Sequence, residues 1–213
     1  MGEKPLSKLY DISMTIHADM PSWGNDPAKK PRIENVQNHD QGQPHESLLS
    51  QNLHTGTHVD APLHMIAGGD TIETIPLEQL VGPARVLDLT HVEDSIAKAD
   101  LEPFAIRKGE RLLFKTSSSF SEEFRDDFVF LREDGARYLA EIGIRVAAID
   151  ALGIERSQEG YPTHRTLMKS GVVIVEGLRL KDVPAGNYWL VVAPLKLTGT
   201  EAAPARAFLI GEE

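Results

Sequence analysis

Cysteine is absent from the 213 residues. That excludes disulfide staples, cysteine nucleophiles and thiolate metal sites at once, and it fits a reducing compartment. Aromatic residues make up only 6%, so few rings are at hand to line a pocket. Positive charge is scarce: 22 Lys and Arg stand against 32 Asp and Glu, a net charge of −10. A surface of that sign repels phosphate backbones, and the basic run Lys29-Lys30-Pro31-Arg32 ends at Glu34. Nucleic acid is not an expected partner. Long apolar runs are missing too. The longest nearly uncharged one, Tyr188 to Leu195, falls far short of the roughly 20 residues of a membrane span. The start, Met1 to Leu9, carries lysines and a glutamate and does not read as a signal peptide. No Gly-x-Ser-x-Gly elbow and no glycine-rich phosphate loop occurs, so serine hydrolysis and nucleotide chemistry lack support. The expectation is a soluble cytoplasmic protein with no membrane partner.

What is present is mostly short, β-type and rich in Val, Ile and Leu. Leu9 to Ile16, Leu48 to Leu53, Ala84 to Leu89, Arg111 to Lys115, Val146 to Ile149, Val172 to Val175, Tyr188 to Val192 and Ala205 to Ile210 read as strands bounded by turn residues. Helical patterns are fewer. Glu133 to Ile142 is the clearest, with Gly143 as its stop; Leu77 to Leu80 and Thr163 to Lys169 are shorter. No repeat, low-complexity tract or linker divides the chain, so residues 1–213 are expected to form a single domain. The fold class is mixed α/β, a β-rich core with a helical layer.

The segment that carries chemistry is His54-Thr-Gly-Thr-His58-Val-Asp60-Ala-Pro-Leu-His64. Three of the chain's eight histidines and one aspartate fall in this short stretch. The metal-capable residues alternate with Thr, Val, Ala and Leu, which ordinarily marks a strand with one polar face. A straight strand, however, would separate His54 and His58 by roughly 13 Å, too far for two ligands of one ion. Pro62 stops a helix and Gly56 weakens one. The expectation is a tight curl around Gly56 that turns both imidazoles and the Asp60 carboxylate toward one point. Clustered imidazoles and a carboxylate would otherwise suffer desolvation and mutual repulsion without return; a divalent cation removes both difficulties. N and O donors select Zn, Mn, Fe or Co, and three protein ligands leave the open position of a catalytic site. His64 is set aside as a fourth ligand because Pro62 stiffens the chain before it. A neutral imidazole there suits proton transfer instead.

The string HTGTHVDAPLH resembles the signature of the metal-dependent cyclase family, which includes bacterial kynurenine formamidase (arylformamidase) and isatin hydrolase. The resemblance extends to Leu9-Tyr-Asp-Ile-Ser, to Ala148-Ile149-Asp150, to Tyr161-Pro-Thr-His164 followed by Val175-Glu176-Gly-Leu, and to the tail from Ala193 through Ala207. It implies the swivelling β/β/α cyclase fold and a two-metal centre, with two ions per subunit, zinc first and manganese second. His54 and His58 would bind the first ion, His164 the second, and Asp60 and Glu176 both. His64 would give and take the proton, and Trp23 would line the substrate pocket. The resemblance also points to a homodimer or a higher homo-oligomer. Read without it, Glu176 emerges from an apolar run and pairs equally well with an arginine such as Arg179, and His164 reads as a helix cap or surface residue.

The sequence departs from the family around the aromatic pocket. It reads Pro21-Ser-Trp23-Gly-Asn-Asp26-Pro where formamidases have Trp-Pro-Gly-Asp, and Asp150-Ala-Leu-Gly-Ile-Glu155-Arg farther on. Trp23 serves equally as a pocket wall or as a surface or dimer anchor. Phe120 to Arg125, with Ser117 to Ser119 before it, reads as a mobile loop that either covers the site or is simply solvated. The expected reaction is hydrolysis of a C–N amide bond. Metal lowers the pKa of a bound water from about 16 to near 7, the resulting hydroxide attacks the carbonyl, and His64 protonates the departing nitrogen. The family's best-known case converts N-formylkynurenine to kynurenine and formate. The alternatives are cleavage of a cyclic amide such as isatin, of another small amide or lactone, or metal binding without a hydrolytic role.

Overall fold

A run of consecutive apolar residues needs a strand covered on both faces. Arg111–Lys115, Val146–Ile149 and Val173–Glu176 carry such runs, with charged residues only at their ends, and every residue in them is buried. The computed structural model describes residues 8–211. The first seven residues, read above for a leader sequence, lie outside the described residues, as do the last two of the expected 1–213 domain. Twelve strands lie among the described residues: β1 (Lys8–Asp11), β2 (Arg32–Gln37), β3 (Glu46–Ser50), β4 (His58–Asp60), β5 (Val81–Asp88), β6 (Ser95–Ile96), β7 (Arg111–Lys115), β8 (Phe130–Leu131), β9 (Val146–Ile149), β10 (Val173–Glu176), β11 (Gly186–Pro194) and β12 (Ala202–Gly211). Four helices accompany them: α1 (Leu77–Leu80), α2 (Lys98–Leu101), α3 (Glu133–Ile142) and α4 (Pro162–Lys169).

The main sheet runs β1-β12-β11-β5-β7-β9-β10-β4, and β4 pairs back onto β12. Seven strands thus close into a barrel, with β1 added outside the ring. The stretch β5-β7-β9-β10 is parallel, and the remaining ladders are antiparallel. Closure removes the sheet edges that would otherwise recruit foreign strands. Small residues inside suit a narrow ring: Ala84, Ala148, Ala203 and Ala207 pack there with Val59, Leu113, Val146, Val173, Val175, Leu190 and Leu209. Alternate residues of the same strands, Leu112, Phe114, Ala147, Ile149 and Ile174, face a second core with Ala136, Leu139 and Leu167 of α3 and α4. Each fully buried Leu or Ile contributes about 1.5–3 kcal/mol. This is the mixed α/β architecture expected, a β-rich core under a helical layer.

The alternation decides where the chemistry lies. Val173 and Val175 point into the barrel, so Glu176, at the end of β10, points outward to the helix side. Register places Glu176 opposite His58 and Ile174 opposite Asp60, so His58 and Asp60 share that outer face while Val59 fills the barrel. The site is assembled between barrel wall and helix layer.

Three strands and three helices match their expected bounds closely: β7, β9, β10, α1, α4 and α3, the last ended by Gly143 at φ +80°. Others moved. The opening strand stops at Asp11 instead of Ile16, after which Ser13 makes a single bridge to Leu178. The run placed at Leu48 to Leu53 is β3, ending at Ser50, paired with β2 in a separate two-stranded sheet. β2 escaped notice because both its faces are exposed, which leaves no alternation to read. His58–Asp60 is a strand after all, and the curl is confined to the residues before it.

Candidate metal centre

Two glycines shape the curl that leads into β4. Gly56 has φ +78° and Gly177 has φ +69°, a region where a side chain is strained. They also pack on each other: a Cβ at Gly177 would lie 2.5 Å from the Gly56 carbonyl oxygen. Thr57, buried, ties the crossing together. Its Oγ1 donates to the Gly177 carbonyl at 2.6 Å and accepts the Met14 N–H at 2.8 Å. Thr55 Oγ1 donates to the Lys29 carbonyl at 2.8 Å. The two threonines between the histidines are therefore the fastenings of the turn. The result is a His54–His58 ring separation of 5.0 Å, against the roughly 13 Å of an extended chain.

Around this turn the predicted residues come together. His54 Nδ1 lies 3.1 Å from Asp60 Oδ1 and 3.3 Å from His58 Nε2. His58 Nε2 lies 3.4 Å from Asp60 Oδ1 and 3.4 Å from Glu176 Oε2. On the other side, His164 Nε2 stands 3.3 Å from Glu176 Oε1 and 3.9 Å from Asp60 Oδ2. Each carboxylate thus turns one oxygen to His58 and the other to His164. His54, His58 and Asp60 form one group able to hold a metal ion, and Asp60, His64 and His164 a second. Glu176 faces these imidazoles and accepts the Ile154 N–H at 2.7 Å; it does not pair with Arg179. His164 is buried in the first turn of α4 and is neither a cap nor a surface residue.

His64 also comes in. Pro62 opens a 3₁₀ turn, Pro62–His64, and this turn brings the imidazole to 4.2 Å (ring centroids) from His54 and 5.8 Å from His164. The stiffness of Pro62 therefore delivers His64 to the cluster. The outer nitrogens of the other three histidines are all occupied. His58 Nδ1 meets the Gly56 carbonyl at 2.9 Å, His54 Nε2 faces Glu201 at 3.3 Å, and His164 Nδ1 meets Glu155 at 2.7 Å. Among the described residues, no hydrogen bond fixes either nitrogen of His64.

The electrostatics separate the same groups. Burial pushes the His58 imidazole down, but Asp60 and Glu176 outweigh it and raise the pKa to about 10. Burial likewise opposes His164, which Glu155 and Glu176 raise to about 10. Glu176, pushed up by burial and by Asp60, is nonetheless held at about 2 by His164 and His58. His64 goes the other way: burial, with His54 and His164 beside it, lowers its pKa despite Asp60 and Glu176. Its imidazole is thereby held toward the neutral form.

Both Asp60 oxygens are buried and neither accepts a hydrogen bond; imidazole nitrogens alone face them. An ionised carboxylate so placed is costly unless a cation compensates it. Hard oxygen and imidazole nitrogen donors are the set that divalent Zn or Mn takes. The residues fit a metal.

A cleft of about 250 Å³ opens beside them, bounded by His64, His164 and Glu176 on one side and by Trp23, Met65, Leu152 and Tyr161 on the other. Trp23 packs its ring 5.6 Å from Phe124 and 5.5 Å from Phe128. A Cβ at Gly153 would run into the Trp23 ring. The segment expected to be a mobile loop is anchored in its first half: Ser117–Phe120 is a 3₁₀ turn, and Ser119 Oγ donates to buried Asp150 at 2.6 Å. Asp150 also accepts from Thr116 N–H and Oγ1 and clamps β7 to β9 without joining the cluster. Glu155, Glu201 and Gly153 were missed from sequence, since no spacing ties them to the histidine motif.

Residues 10–156 match the family model described as "Putative cyclase". A kynurenine formamidase of Salinibacter ruber is 36% identical over 204 residues, covering 94% of this chain and 96% of that protein. A solved structure, the "predicted metal-dependent hydrolase from Bacillus stearothermophilus", superposes with a TM-score of 0.89 at 53% identity, covering 97% of this chain and 99% of the other. Isatin hydrolase A from Labrenzia aggregata shares the fold, with a TM-score of 0.85 at 24% identity over 97% of this chain and 94% of its own.

Proposed function

The chain belongs to the cyclase family and is a hydrolytic enzyme of it, and from that premise we propose that it acts as one metal-dependent domain cleaving the C–N amide bond of a small aryl substrate. N-formylkynurenine is the substrate of choice, because kynurenine formamidases are 34–36% identical to this chain over nearly its whole length. The observation that carries the reading is the meeting of His54, His58, Asp60, His164 and Glu176 at the floor of a cleft walled by Trp23. His54, His58 and one oxygen of Asp60 would hold the first of two ions. His164, the other Asp60 oxygen and Glu176 would hold the second, with Glu176 reaching both. When bound, zinc or manganese there supplies an acidified water and a Lewis acid for the carbonyl.

The chain's own groups do the rest. Trp23, backed by Phe124 and Phe128, presents with Met65 and Leu152 a hydrophobic wall that seats an aromatic ring and keeps bulk water off one side of the reacting carbonyl. His64 delivers a proton from an imidazole nitrogen to the departing amine nitrogen, which as an anion is a very poor leaving group. Its lowered pKa and unengaged nitrogens leave it free to take that proton first from water. Metal-ligating imidazoles commonly have their outer nitrogen tied, as the other three histidines do and His64 does not.

The protein is proposed to work as a homodimer or larger homo-oligomer. Ile33, Val36, Leu48 and Leu49 on the β2–β3 hairpin are about half exposed, and an isolated two-stranded hairpin is marginal in water; sedimentation velocity tests it. The cysteine-free composition supports a cytoplasmic place, which fractionation tests. No helix among the described residues is long and apolar enough to cross a membrane. The decisive assay strips the protein with chelator, restores zinc or manganese, and follows N-formylkynurenine and isatin hydrolysis. Metal-restored turnover of the former is expected; no turnover of either, by protein that still takes up metal, refutes the reading.

A further inference from the structure

Glu155 stands just outside the cluster and is 4% exposed. Its carboxylate takes three N–H donors and one imidazole nitrogen. Oε1 accepts the Thr163 N–H at 3.1 Å and the Gln158 side-chain amide at 2.7 Å. Oε2 accepts the His164 N–H at 3.0 Å and meets His164 Nδ1 at 2.7 Å. Both oxygens must therefore be acceptors, which only the ionised carboxylate provides. His164 Nδ1 must then be the donor, and Nε2 is the nitrogen that faces Glu176 and Asp60.

We infer that Glu155 is a positioning residue that locks His164 with its proton on Nδ1 and its Nε2 lone pair toward Asp60 and Glu176, and so sets the affinity of the second metal position independently of the first. The inference rests on the two-metal reading above. The two positions differ in this support. The equivalent nitrogen of His58 has only a neutral partner, the Gly56 carbonyl, and that of His54 faces Glu201, whose side chain is 39% exposed. A buried anionic partner both orients an imidazole and raises its basicity as a ligand. Hence the loss of Glu155 is local to His164.

Glu155→Gln separates this role from simple capping of α4. The amide retains one acceptor for the helix N–H groups but must present its NH₂ to donors at one end. Set against His164, that NH₂ forces the ring proton onto Nε2, where the ion belongs. Chelated wild-type and Glu155→Gln proteins would be titrated with zinc against a chromophoric chelator, alongside thermal melts of the chelated forms. Expected is two equivalents for the wild type, and for the variant one equivalent of unchanged affinity with the other weakened about 10–100-fold. A variant that binds both equivalents as tightly as wild type overturns the inference. So does equal weakening of both together with a lowered melting temperature, which marks Glu155 as a helix cap alone. A wild type that binds fewer than two equivalents overturns the two-metal reading itself. Should the variant not fold, imidazole ¹⁵N spectra of the zinc-loaded wild type decide: His164 must show its proton on Nδ1, and a proton on Nε2 refutes the assignment.

Discussion

Glu176 and His58 face each other directly across the β10–β4 ladder, and their side chains meet at 3.4 Å between Oε2 and Nε2. The two residues are 118 positions apart in the chain. Strand register, more than any local turn, therefore sets their distance, because residues opposite one another in an antiparallel pair point to the same face. β4 has only three residues, held between β10 and β12. Whatever shifts it against β10 takes the site apart.

Gly177→Ala should do that. The new methyl meets the Gly56 carbonyl at 2.5 Å from a backbone at φ +69°, and the left-handed conformation alone costs about 1–2 kcal/mol. We expect destabilisation of at least that size in chemical denaturation, together with loss of bound metal. A variant with wild-type stability and full metal content would show that the crossing does not fix the ligands.

His58→Ala and His64→Ala should part company. His58→Ala is expected to lose metal from the first position. His64→Ala should keep its metal while kcat falls about 10²–10⁴-fold, the usual worth of a positioned acid–base group. Elemental analysis of both variants checks this, and equal metal loss would make His64 a ligand.

The pH dependence of the metal-free protein has a definite sign. His58 and His164 titrate at about 10, above their ordinary 6.5, so their contribution to stability is complete below pH 6.5 and fades as pH rises toward 10. Glu176 titrates at about 2, below its ordinary 4.5; its contribution is complete above pH 4.5 and fades as pH falls toward 2. Chelated protein should therefore melt highest between about pH 4.5 and 6.5. Above that window the stabilisation gained on adding zinc should grow, since the cation displaces the same protons. Melting curves from pH 4 to 10, with and without metal, test both slopes; a chelated protein whose melting temperature holds level from pH 6.5 to 10 would contradict them.

Gly153→Ala should disturb the substrate wall without touching the ligands. The added methyl runs into the Trp23 ring, and overpacking of this kind costs typically about 1–3 kcal/mol. Trp23 must shift from Phe124 and Phe128 to admit it. We expect KM for N-formylkynurenine to rise with metal content unchanged, and steady-state kinetics beside metal analysis distinguish this from collapse of the centre.

Much of the fold was legible because it is written in local chemistry. The apolar runs of β7, β9 and β10 announce strands buried on both faces, and α3 carries acidic residues in its first turn and Gly143 at its stop. Strands without such marks were lost: β2 because water reaches both its faces, and β6 and β8 because two residues make no pattern.

The sequence by itself determined which groups bear chemistry. His54, His58, Asp60 and His64 are crowded within eleven residues, and crowding of imidazoles around a carboxylate has few physical outlets besides a cation. Only the tertiary structure decided which partners complete them. Closing seven strands into a barrel brings Glu176 opposite His58, lays the first turn of α4 over both, and puts Glu155 behind His164. The physical reason is that these distances depend on ladder register and helix packing, which are settled by contacts between distant parts of the chain and leave no periodic trace along it.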